Sequence, residues 1–180
     1  SETEGQDRDH MDLPENQLAL IRAVTKVNPN TVLLLSGGAP FVMPEVSRRA
    51  VVHGYLSGQA GAGAMADVLT GKVCPSGHLA ETWPMTLTDV PCHSYYPGRE
   101  QTAEYREGLY VGYRYFDTAK VPVKYPFGYG LSYTSFEYSD LQVLEDRVVL
   151  RVRNTGAVPG GEVVQLYVHA ETDGMFRPEQ

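Results

Sequence analysis

The sequence is poor in several things, and each shortage removes a class of function. Cysteine occurs only twice, as Cys74 and Cys92, which permits at most one intrachain disulfide and leaves the redox compartment open. His78 and His93 lie close to them, but a C-x3-H step and an adjacent C-H pair lack the short paired ligands of a zinc knuckle. Basic residues are outnumbered, 15 Lys+Arg against 22 Asp+Glu, for a net charge of -7, and they form no run. A polyanion would therefore release few counterions on binding, so a nucleic-acid partner is not expected. The longest apolar stretch, Thr31 to Leu35, is far short of a membrane span, and no membrane partner is expected either. Residues 1 to 10 are polar and acidic, without the apolar core of a secretory leader. There is no G-x-S-x-G elbow, and the glycine clusters at 37–38 and 58–63 lack both the GK[ST] ending and the downstream acid of nucleotide loops. Close packing is the better account of those glycines.

What is present is the composition of a folded protein: 180 residues, 42% hydrophobic and 21% charged. After a polar loop, Asp12 is placed to cap a helix that carries Leu13, Leu18, Leu20, Ile21 and Val24 at helical spacing through about Lys26, with Pro14 near its first turn. Thr31 to Leu35 reads as a strand covered on both faces. A short helix over Met43 to Arg49, a strand over Ala50 to Gly54 and a helix over Ala62 to Leu69, stopped by Gly71, follow. This order is α/β logic, part of an open layered sheet. From Cys74 to about Ser139 the chain is punctuated by proline and rich in tyrosine, the pattern of an ordered meander rather than a linker. From Phe136 the pattern alternates: FEYSDLQV, RVVLRVRNTG (with Val149, Leu150 and Val152 on the buried side) and EVVQLYVHA read as strands beginning a β-sandwich.

Five segments, EGQDRDHMDLPENQLALIRAV, NTVLLLSGGAPFVM, GYLSGQAGAGAMADVLTGKVCPSGHLAETWP, YREGLYVGYRYFD and YPFGYGLSYTSFEYS, together resemble glycoside hydrolase family 3, the family of many β-glucosidases. The resemblance runs in family order over about residues 2 to 168. It implies a fold in three parts: the C-terminal part of an α/β/α sandwich domain over 1–90, an aromatic-rich connecting segment over 91–135, and an incomplete fibronectin type III-like domain over 136–180. It also implies a catalytic barrel elsewhere in the same enzyme, which becomes the expected partner, together with a β-glucoside or oligosaccharide substrate. No metal or organic cofactor is implied. Self-association and cellular location (secreted, periplasmic or cytoplasmic) stay open.

A retaining glycosidase uses two carboxyl groups about 5 to 5.5 Å apart, one as nucleophile and one as acid and then base. In the family the nucleophile is a barrel aspartate, and the acid/base is commonly a glutamate in an EGxDR context. Glu4 of Glu4-Gly5-Gln6-Asp7-Arg8 matches that position, with Glu2 as rival in the same loop. Without the resemblance, Glu2, Glu4 and Asp7 read as a solvated acidic segment. Asp7 and Arg8 are cast as organisers of the loop, Arg8 through its rigid fork of donors. Alternatives are a family 3 β-xylosidase or N-acetyl-β-glucosaminidase, or a non-catalytic carbohydrate-binding or structural module. The aromatic set Tyr105, Tyr110, Tyr113, Arg114, Tyr115, Tyr125, Phe127, Tyr129 and Tyr133 is read as packing rather than as a sugar subsite, and Trp83 likewise. The expected outcome is that the 180-residue chain alone hydrolyses no aryl β-glucoside and that adding the barrel-containing part restores turnover. Full turnover by the pure chain would overturn the placement of the nucleophile elsewhere.

Overall fold

The computed structural model describes residues 5–6, 8–42, 50–98, 101–169 and 178. Along them run α1 (Glu15–Val27), β1 (Val32–Leu35), β2 (Ala50–His53), α2 (Gly61–Leu69), β3 (Trp83–Pro84), α3 (Tyr113–Ala119), β4 (Val123–Tyr125), β5 (Phe136–Val143) and β6 (Val148–Asn154). A 3-10 turn at Leu87–Asp89 lies between β3 and α3. The strands form three two-stranded sheets: β1 with β2 in parallel, and β3 with β4 and β5 with β6 antiparallel. The chain is thus mixed α/β, as its element order implies. The expected helix over Met43 to Arg49 lies outside the described residues.

Helix α1 begins later than expected. Its N-cap is Pro14, whose carbonyl accepts the amides of Gln17 and Leu18 at 2.9 and 3.1 Å. Asp12 is not the cap, because it is drawn into a parallel bridge with Val42, an extended pairing that leaves it upstream of the first turn. Leu18 and Ile21 face the core, while Leu20 and Val27 are exposed. Strand β1 also differs from expectation. Leu33 and Leu35 turn inward, but Val32 and Leu34, on the other face, remain 49% and 46% exposed. A continuous apolar run supplies two faces, and the described residues cover one.

The core joins these pieces through one ring. Trp83 is 2% exposed and clusters with buried Leu13 and Leu35, with Phe41, Val51, Leu79 and Tyr125 packed around them. Its indole meets Phe41, His53 and Tyr125 edge to face, at centroid distances of 6.2, 5.2 and 5.8 Å. This is the offset geometry that ring quadrupoles favour. Helix α2 ends as expected. Gly71 adopts φ +75° and its amide bonds the Val68 carbonyl at 3.0 Å, a left-handed stop that costs a glycine little. The meander holds itself by backbone bonds, with the Leu79 amide on the Tyr129 carbonyl and the Gly128 amide on the Leu79 carbonyl, both 2.8 Å.

The hairpin β5–β6 is bulged between Ser139 and Gln142, where Asp140 takes φ +55°. In β6, Val148 and Leu150 are half-buried, whereas Val149 and Val152, expected on the buried side, are exposed. The segment Glu162–His169, expected as a strand, joins no ladder among the described residues. Alternation tells which side chains share a face, not whether a partner edge lies alongside. The segment is held by other contacts: the Gly161 amide on Ser76 Oγ at 2.9 Å, Glu162 against His78 at 3.5 Å, and Tyr167 edge-on to Tyr113 at 5.5 Å. Cys74 and Cys92 are free thiols, with Cys74 Sγ 3.1 Å from Ser132 Oγ. No helix among the described residues is long and apolar enough to cross a membrane.

Two outcomes follow for stability. Trp83→Ala should lose about 3–5 kcal/mol in urea unfolding followed by far-ultraviolet circular dichroism, with Trp83→Phe losing less. An unchanged midpoint would remove Trp83 as the support of the core. Burial, and secondarily Tyr129, holds the Tyr125 hydroxyl above its ordinary value of 10.0, so the native state keeps the proton where the unfolded chain releases it. The associated stability is present below pH 10.0 and is lost as pH rises through the folded value. Tyr125→Phe should therefore fall off less steeply with alkali than the parent, and equal slopes would contradict the assignment.

Candidate active-site loop

Glu4, its rival Glu2, and Asp7 lie outside the described residues. The structure gives the segment that carries them into the fold. Gly5 takes φ +82°, a left-handed turn that a side chain would resist. Beyond it, Arg8 crosses to the loop after β1: its Nη2 donates to the Pro40 carbonyl at 3.0 Å and its guanidinium lies over the Phe41 ring at 5.3 Å. Two residues on, His10 Nδ1 accepts the Asp12 amide at 3.2 Å. That nitrogen is also 3.8 Å from the Asp12 carboxylate, but as an acceptor it makes no ion pair in this geometry. Met11 is buried, its carbonyl accepts the Val42 amide at 2.8 Å, and Asp12 pairs with Val42. Residues 8 to 12 are therefore stitched to 40–42 by side chain and backbone together.

An open cavity of about 670 Å³ lies beneath this segment. Gln6, Arg8, Asp9, His10 and Asp12 give it a polar rim, while Leu20 and Ile21 of α1 and Leu33 and Leu34 of β1 give it an apolar back. Such a wall offers hydrogen-bonding groups beside a surface that excludes water, the arrangement small-molecule sites use. Glycine sits where the platform is tightest: a side chain on Gly37 would meet the Phe41 ring, and one on Gly61 would meet Ser57. Gly58 and Gly63 have open space around them, so close packing explains only part of the glycine-rich stretch.

Most of the aromatic set packs against neighbouring groups. Tyr113 stacks on Phe127 at 5.0 Å, Tyr125 lies against Tyr129 at 4.8 Å, Tyr115 meets Phe116 at 5.3 Å, and the Tyr133 hydroxyl donates to the Val68 carbonyl at 3.0 Å. Arg114 lies over Tyr113 at 5.7 Å. Tyr105 is 92% exposed and packs against little. Tyr55, against His53 at 4.0 Å, has its hydroxyl pushed above 10.0 by burial first and by the Glu81 carboxylate second. A second cavity, of about 580 Å³, is bounded by Cys92, Tyr95, Tyr96, Arg106 and Glu107. Burial, then Glu107, pushes the Cys92 thiol up, which makes it a poor nucleophile. The sequence had not singled out Pro40 and Phe41 as the seat of the loop; an aromatic placed directly after Gly37-Gly38-Ala39-Pro40 was the available signal.

Comparison with known proteins shows the family. Residues 1–133 match the glycosyl hydrolase family 3 C-terminal domain. The chain is 47% identical over 188 residues to thermostable beta-glucosidase B of Acetivibrio thermocellus, covering 99% of this chain and 25% of that protein. It is 40% identical over 185 residues to an exo-alpha-(1->6)-L-arabinopyranosidase of Bifidobacterium longum, covering 99% of this chain and 24% of the relative. The crystal structure of a Bifidobacterium adolescentis GH3 beta-glucosidase superposes with a TM-score of 0.92 at 42% identity, covering 98% of this chain and 27% of that one. The chain spans about a quarter of the length of these proteins.

Proposed function

Because this chain belongs to glycosyl hydrolase family 3 through that family's C-terminal domain, we propose that it is part of a retaining β-glucosidase acting on terminal non-reducing β-D-glucosyl residues. The observation that carries the reading is the 47% identity, over 99% of the chain, to a beta-glucosidase. A barrel in the remainder of the same enzyme supplies the nucleophilic aspartate. Within the chain, 1–90 is the sandwich-domain portion, 91–135 the connecting strap and 136–180 the start of a fibronectin type III-like domain. Alone, the chain is inactive.

Glu4 is the acid/base. In the first step its carboxyl proton passes to the glycosidic oxygen as the bond from that oxygen to the anomeric carbon breaks and the barrel aspartate bonds the carbon. In the second, the Glu4 carboxylate takes a proton from water, whose oxygen displaces the aspartate with net retention. The loop of residues 8 to 12, seated on Pro40 and Phe41 beside a cavity with a polar rim, supports this reading, because it anchors the chain four residues after Glu4 in sequence. A second reading, an α-L-arabinopyranosidase, is favoured by the 40% identity to such an enzyme. Both sugars present an equatorial leaving group, so the same two carboxyl roles would serve.

The test uses the full-length enzyme. Glu4→Gln should reduce kcat/KM by roughly 10²- to 10⁴-fold on glucosides with poor leaving groups, and little on the dinitrophenyl glucoside, which departs without a proton. Azide should restore turnover of Glu4→Gly and yield the β-glycosyl azide. Glu2→Gln should behave as the parent; the reverse pattern would move the role to Glu2. Faster hydrolysis of aryl α-L-arabinopyranoside than of aryl β-glucoside would select the second reading.

A further inference from the structure

A general acid has to stand within hydrogen-bond reach of the oxygen it protonates, and a displacement of about 1 Å can cost about 100-fold in rate. The residue beside Glu4 is Gly5 at φ +82°, a permissive backbone position, so anchoring of the residues that follow bears on where an acid at Glu4 can stand. Among the described residues, the first side chain downstream that is tied to another part of the fold is Arg8. Its Nη2 is committed to the Pro40 carbonyl at 3.0 Å and the face of its guanidinium to Phe41 at 5.3 Å. Phe41 is in turn seated against Gly37 and meets Trp83 and His53 edge to face at 6.2 and 6.1 Å. A continuous chain of contacts thus leads from the loop to Trp83, the most buried side chain among the described residues.

We infer that Arg8 is a positioning residue for Glu4, acting through a platform made by Pro40 and Phe41 and not by contact with sugar. The inference rests on the assignment of Glu4 as acid/base. A hydrogen bond from a charged donor and a ring beneath the same cation are each stronger than their neutral equivalents, and together they fix both the position and the plane of the guanidinium. Lysine supplies the charge without the planar fork, so it replaces arginine only in part.

Positioning has a signature that general loss of folding lacks. If Arg8 places the acid, its removal weakens catalysis in proportion to the need for a proton. In the full-length enzyme, kcat/KM is measured across aryl glucosides of graded leaving-group ability for Arg8→Met, Arg8→Lys, Phe41→Leu and Glu4→Gln, each normalised by active-site titration. Arg8→Met should lose roughly 10- to 100-fold on poor leaving groups and little on the dinitrophenyl glucoside. Arg8→Lys should fall between it and the parent, and Phe41→Leu should tilt the same way. If Arg8→Met does not fold, the lysine and Phe41→Leu variants carry the same comparison. A loss uniform across the series, or none, would overturn the inference. A steep series for Glu4→Gln beside a flat one for Arg8→Met would overturn it alone, whereas a flat Glu4→Gln series would overturn the acid/base assignment and its positioning together.

Discussion

The structure depends on the burial of Trp83. It belongs to β3, a strand of two residues, yet its ring touches the loop after β1 through Phe41, strand β2 through His53 and strand β4 through Tyr125. The three sheets are each too small to stand alone, since a two-stranded pair is marginal in water without a packed face. One large ring shared by two of them substitutes for the strands that a larger sheet would contribute. The same ring explains the order of the candidate site, because the platform under Arg8 is the outer side of the packing around Trp83.

The other faces of these elements are less covered. Val32 and Leu34 on β1, with Leu20 and Val27 on α1, expose apolar side chains in a region where a parallel sheet is ordinarily enclosed. Exposed apolar surface of this kind marks contact surfaces. The aromatic segment is held by ring contacts rather than by strands: Tyr113 stacks on Phe127 within it and meets Tyr167, further along the chain, edge to face.

Much of this was legible in the residues. The helix before Asn28-Pro29-Asn30, the strand TVLLL, the stop at Gly71 and the hairpin of FEYSDLQV with RVVLRVRN follow from periodicity and turn chemistry, and all four are present. What could not be read was pairing and cover. Asp12 has the chemistry of a helix cap, but a tertiary bridge to Val42 claims it first. Glu162–His169 has the alternation of a strand, but no edge lies beside it among the described residues. For the site, the sequence pointed to Glu4 and to Arg8 as an organiser, through resemblance alone. It held no local sign that Arg8 would reach across to Pro40, because that distance is closed only by folding.

The spacing of the sheets along the chain also bears on how the protein assembles. Strands β5 and β6 are joined by a short turn, so their ladder closes at small entropic cost. Trp83 and Tyr125, by contrast, pair across the whole of the proline-punctuated meander, and that loop must close before the indole gains its enclosure. Loop closure alone therefore costs the hairpin ladder less than it costs the aromatic core. Since Trp83 is the sole tryptophan of the chain, its fluorescence in refolding reports the docking of the aromatic core, whereas the apolar faces of β1 and α1 that stay exposed in the fold contribute nothing to that signal and are open to association with other chains before and after it.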